Sequence, residues 1–152
     1  GYYDHMEESH ELLAFYGNEK IWDILAENPR NRVVVFGEQP EMLRFPCSTQ
    51  SYTDIEGSGG NFNLSSSPEV MADFFTFAGV DYIYLGSGYL KPGTDGFRNV
   101  TGLLKQGYLS DLLYENGNGL AVFSPESREL SAEESEALLA EFTEKYWPGE
   151  QQ

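Results

Sequence analysis

Arg32-Val33-Val34-Val35-Phe36-Gly37 is a continuous β-branched and aromatic run. A strand apolar on both faces belongs in the middle of a sheet that is covered on both sides. A second run, Val80-Asp81-Tyr82-Ile83-Tyr84-Leu85, has the same character. Between them, Ser67-Pro68-Glu69 is a sharp helix start: a capping Ser, a Pro at the first helical position and an acid in the first turn. That helix carries Val70 to Phe77 and ends at Gly79, the favoured terminator. Strand, helix, strand predicts two neighbouring parallel strands with the helix in their right-handed crossover.

The remaining punctuation extends this plan. A helical stretch from about Glu8 to Glu27 is expected, broken at Gly17-Asn18, with Asn18 capping its second half and Asn28-Pro29 ending it. Glu38 to Arg44 fits one or two helical turns, and Phe45 to Tyr52 a short strand. Residues 56–67 form a polar Gly/Ser loop. After the Gly-rich loop from Gly86 to Gly96, a short helix is expected over Phe97 to Gln106. Tyr108 to Tyr114 and Leu120 to Phe123 flank Asn-Gly pairs, the strongest local hairpin signal. Ser131 with Glu134 makes a capping box for a last helix to about Tyr146, expected to bury Leu138, Leu139, Phe142 and Tyr146. The expected fold is therefore α/β: a small Rossmann-like, mainly parallel sheet flanked by helices, with an antiparallel hairpin at one edge and a C-terminal helix. It divides into an N-terminal arm (1–8), one domain (9–147) and a tail (148–152). The start lacks an initiating Met and reads as an excised segment, the arm being a linker from a removed membrane region.

Charge narrows the partners. A net charge of −16 with nine Lys plus Arg, scattered singly, leaves no basic patch to neutralise phosphates, so nucleic acid is excluded as a partner. Anionic membrane surfaces are disfavoured likewise, and so high a charge keeps a domain soluble and monomeric. No apolar run approaches the roughly 20 residues of a membrane span, and no signal peptide is visible.

Candidate chemistry is sparse. Gly86-Ser87-Gly88 follows a strand, yet no further glycine opens a helix behind it, so the dinucleotide pattern is incomplete and a turn is the expected use. Asp4, His5, Glu7, Glu8, His10 and Glu11 crowd together, but His5 and His10 are five apart and do not stack on one helical face; no metal site is expected. The single cysteine, Cys47, has no local histidine and reads as a structural thiol. Acid pairs such as Glu38 with Glu41 arise by chance among 25 acids. Tyr82, Tyr84 and Tyr89 could stack on sugars, although Tyr and Ile alternating in a strand is ordinary sheet packing. Asn63-Leu64-Ser65 and Asn99-Val100-Thr101 match the glycosylation sequon, a pattern common by chance. No catalytic residue, cofactor or metal is assigned.

The stretch from Arg32 to Pro125 resembles the extracytoplasmic C-terminal region of polytopic bacterial glycosyltransferases, relatives of protein mannosyltransferases and lipid-sugar transferases. The likeness rests on Arg32 to Glu38 with Phe45-Pro46 behind it, on Ser67-Pro68-Glu69 through Gly79-Val80-Asp81-Tyr82-Ile83 to Leu85, and on Tyr114 through Val122-Phe123-Ser124. It implies a non-catalytic domain on the outer face of the cell membrane, accessory to sugar transfer from a polyprenyl-phosphate donor. Its partners would be the membrane-embedded part of the same polypeptide and a sugar or glycan acceptor. In that family the catalytic acids lie on loops between membrane spans, so no catalytic role transfers to any residue here. The alternative is a free-standing acidic interaction protein, immunity-protein-like, binding a basic partner. If a ligand binds, open parallel sheets place it beyond the carboxyl ends of the strands. That points to Gly37, Glu38, Gly86, Ser87 and Tyr89, with Gly57 to Gly60 as a loop over the edge. Glycine donors, one carboxylate and one aromatic suit a neutral sugar; the same edge could instead face the membrane part.

Overall fold

In the computed structural model, the described residues are 18–37, 45–51 and 67–146. In chain order they form α1 (Glu19–Ala26), β1 (Arg32–Phe36), β2 (Ser48–Ser51), α2 (Pro68–Ala78), β3 (Tyr82–Leu85), α3 (Asp95–Lys105), β4 (Leu109–Glu115), β5 (Asn118–Phe123) and α4 (Ala132–Tyr146). One five-stranded sheet has the order β2-β1-β3-β5-β4. The two apolar runs are its neighbouring parallel strands, in register from Val33 opposite Tyr82 to Phe36 opposite Leu85. β2 is parallel to β1 on the far side. The hairpin joins antiparallel, β5 against β3 and β4 at the margin. This is the expected α/β architecture, a mixed sheet with helices around it.

Alternation in the strands explains the layers. Val34, Phe36, Ile83 and Leu85 point into a core closed by Met71 and Phe75 of α2, Leu103 and Leu104 of α3, and Phe142 and Tyr146 of α4. Val33, Val35 and Tyr84 point the other way, against Ile21, Trp22 and Leu25 of α1. Both faces are dry because both are covered, which is why the runs contain almost no polar alternation. Each fully buried aliphatic or aromatic side chain contributes about 1.5–3 kcal/mol.

The local signals act as chemistry dictates. Ser67 Oγ accepts from the Val70 N–H at 3.2 Å, and Gly79 ends α2 in the left-handed region at φ 69°. Ser131 and Glu134 exchange both bonds of the capping box. Asn116 and Gly117 take φ of 50° and 81°, the two positive values that a two-residue type I′ hairpin needs.

Several expectations require correction. α3 begins two residues early, at Asp95, because Thr94 Oγ caps it by accepting from the Phe97 N–H. Leu139 stays half-exposed on the outer side of α4, while Leu138 packs on the core. β4 carries a bulge between Ser110 and Leu113, with Asp111 at φ 49°. The helix before Asn18, the turns at 38–44, the loop at 56–66 and the tail lie outside the described residues.

Candidate functional site

The carboxyl ends of β1 and β3 lie side by side, and their connections diverge: β1 leads outward to β2, β3 towards α3. Gly37 and Gly86 meet there. The Gly86 N–H donates to the Phe36 carbonyl at 2.7 Å. A Cβ on Gly86 would stand 3.2 Å from that oxygen and 3.4 Å from the Gly37 Cα, so the close approach depends on the missing side chain.

The following turn is tied into the fold by residues far away in sequence. The Ser87 N–H donates to Asn118 Oδ1 at 2.8 Å, and the Tyr89 N–H to the Gly86 carbonyl at 3.1 Å. The Tyr146 hydroxyl receives the Leu90 N–H at 3.0 Å and donates to the Gly86 carbonyl at 2.6 Å. Asn118 Nδ2 donates to Asn18 Oδ1 at 2.8 Å, and Asn18 Nδ2 donates to the Tyr84 hydroxyl at 3.0 Å. The carboxyl edge thus carries a continuous polar chain from β3 through Asn18, just ahead of α1, and the hairpin back to the Ser87 backbone. Each buried member has a partner, as burial demands.

Of the residues the sequence assigns to a ligand, Gly37, Gly86, Ser87 and Tyr89 do gather at this edge, and Glu38 lies outside the described residues. The N–H groups of Gly86 and Ser87 are directed at protein acceptors. Tyr89 is half-buried and packs on the larger core cluster. Tyr84 is buried edge-on to Trp22 at 5.8 Å and to Phe45 at 5.1 Å between centroids, and Trp22 stacks on Phe45 at 4.7 Å. Burial pushes the Tyr84 hydroxyl up to about 12, against the opposing bond from Asn18. These tyrosines are packing elements in this arrangement.

The other candidates resolve similarly. Cys47 is half-buried beside the α1-side core, and burial, reinforced by the Asp81 carboxylate, pushes its thiol up to about 11. At neutral pH it is a protonated, weak nucleophile. Asn99 of the sequon is fully buried, and the Thr101 hydroxyl donates to helix carbonyls at Phe97 and Arg98, so the folded chain offers no glycan acceptor there. Among the described residues no group of three or more His, Cys, Asp or Glu side chains is placed to hold a metal; Asp4, His5 and His10 lie outside them. Asn118 and Tyr146 organise this edge, and nothing in their local sequence marks them for it. Comparison with family models, with curated proteins and with solved structures finds no match to this chain.

Proposed function

We propose that the chain is a non-catalytic, extracytoplasmic accessory domain of a membrane-bound glycosyltransferase-like protein, serving sugar transfer from a polyprenyl-phosphate donor. The reading rests on the resemblance of Arg32 to Pro125 to such domains. The observation that carries it is the wiring of the carboxyl edge. Where open α/β sheets present backbone donors to a substrate, here Asn118 and Tyr146 engage the Ser87 and Leu90 N–H groups. An edge built this way positions neighbouring chain segments; it does not polarise a reacting bond. No helix among the described residues is long and apolar enough to cross a membrane, so on this reading the spans belong to other parts of the polypeptide. The net charge of −16 repels the phosphate of a donor, which puts donor binding on those other parts.

The test is sugar transfer in membranes carrying the parent protein with and without this domain. Deletion is expected to reduce transfer while the membrane part still inserts, and the purified domain to turn over no glycoside or nucleotide-sugar. Turnover by the isolated chain, or unchanged transfer after deletion, would overturn the proposal.

A further inference from the structure

The two margins of the sheet are unlike. β4 is blunted: its bulge between Ser110 and Leu113 and the left-handed Asp111 interrupt the row of ladder groups that a foreign strand would need. β2 has no such device. Ser48-Thr49-Gln50-Ser51 pairs with β1 on one side, and no strand among the described residues lies on the other. It contains no Pro, no Lys and no bulge, and the small side chains of Ser48 and Thr49 are exposed.

A groove of about 480 Å³ runs beside this strand, between it and the C-terminal turn of α2. Ser48 and Thr49 line it from β2, Val34 from β1, and Ala78 and Val80 from the end of α2 and the link to β3. Its rim carries Phe77, which is 89% exposed. The volume falls within the range of ligand sites, roughly 300–1,000 Å³. A large aromatic left in water beside a groove is the pattern of a contact anchor, because its burial is deferred until something docks.

We propose that β2 and this groove receive an extended, basic polypeptide segment, which adds as a sixth strand. Main-chain bonds to the outer groups of β2 would hold it. Its alternate side chains fall on the two faces of the sheet. On the α2 face, one apolar side chain enters the groove against Phe77 and Val80. The partner's sign follows from charge. The chain carries −16 and the exposed Asp73 lies one helical turn before Phe77; against these stands one cation in the groove lining, Arg32, which keeps its charge while a guanidinium N–H donates to the Ala78 carbonyl at 2.8 Å. Lysine and arginine on the incoming strand are attracted, whereas a second copy of this chain meets like charge along the whole approach. The proposal holds whether or not the domain belongs to a glycosyltransferase.

The experiment uses a fluorescein-labelled peptide of about eight residues, alternating lysine and valine, long enough to span a four-residue strand. Saturable anisotropy change is expected, with slowed amide exchange confined to Ser48–Ser51. Phe77→Ser, at a position that packs on nothing in the core, is expected to weaken binding about tenfold. N-methylation of alternate peptide nitrogens is expected to abolish binding, and replacing lysine by glutamate to do the same. Absence of binding, insensitivity to N-methylation, or exchange protection at β4 instead of β2 would overturn the proposal. So would sedimentation showing that the domain pairs with itself through β2.

Discussion

The Glu115 carboxylate at the end of β4 accepts the Lys20 N–H at 3.1 Å from each of its oxygens, and the Ile21 N–H at 3.3 Å. It is the N-terminal cap of α1, supplied from 95 residues away. Asn18 stands at the capping position, but its side chain makes no cap bond and turns inward to Tyr84. The hairpin therefore does for α1 what its own preceding residue would ordinarily do, and a negative charge at this end also meets the favourable pole of the helix dipole.

Glu115→Ala is expected to destabilise the fold by about 1 kcal/mol, the usual value of a lost cap, with α1 amides exchanging first. Glu115→Gln, which keeps one acceptor, should lie between the two. Chemical denaturation with amide exchange on α1 checks both. Equal stability of wild type and Glu115→Ala would show that water replaces the carboxylate at no cost.

Asn18 and Asn118 act as one unit. Asn18→Ala leaves the Tyr84 hydroxyl and the half-buried Asn118 amide without their partner; the orphaned buried hydroxyl costs about 1–3 kcal/mol and the Asn118 amide less, since water reaches it. Once Asn18 is gone, Asn118→Ala has less left to lose. A double-mutant cycle is expected to give a coupling of about 1 kcal/mol, since the residues touch. Strict additivity would mean the chain of bonds is not cooperative.

What the sequence disclosed and what it hid follow from the reach of each interaction. Ser67, Gly79 and the Ser131–Glu134 box act within three or four residues, so their spacing is visible in the chain, and so are the two apolar runs whose faces are both covered. The Asn18–Tyr84 and Asn118–Asn18 bonds join residues 66 and 100 apart. No window contains both ends, which is why Asn18 reads as a cap and Tyr84, legible as sheet packing, gives no sign of its hydroxyl's partner. Glu115 is one acid among 25. The bulge at Asp111 is set by how β4 meets β5, and a lone Asp in a strand does not announce it. At the candidate edge the glycines are legible as a turn, but the partners that occupy their neighbours' N–H groups come from β5 and α4.

Gly102 sits inside α3, where helix propensity alone favours Ala by about 1 kcal/mol. Packing reverses the sign. A Cβ there would stand 2.9 Å from Pro68 Cβ and closer still to its ring, at the start of α2. Both atoms belong to rigid groups, so the two helices must separate. Gly102→Ala is expected to destabilise by about 1–3 kcal/mol, and Gly102→Ala with Pro68→Ala to recover part of that loss. Thermal unfolding of the two variants decides, and a Gly102→Ala protein more stable than wild type would show that the helices yield freely.

Alkaline pH should unfold this domain through its buried tyrosines. Burial pushes the Tyr84 and Tyr146 hydroxyls up to about 12 from 10.0, outweighing the bonds that favour ionisation. Tyr114 is pushed up as well, by burial and then by the Glu141 carboxylate. Each native tyrosine thus holds its proton where the unfolded chain has released it. With fewer protons on the unfolded state, stability falls as pH rises. The contribution is fully present below pH 10 and is lost progressively up to about 12. For Tyr84 or Tyr146 it amounts to at most about 3 kcal/mol, from 1.36 kcal/mol for each unit. Phenolate absorbance is expected to rise in two stages, exposed tyrosines first and the buried ones together with loss of structure. Tyr84→Phe should be less stable at neutral pH, because Asn18 Nδ2 loses its acceptor, yet lose less on going to high pH. A single smooth titration with the fold intact would show that these hydroxyls ionise without leaving the core.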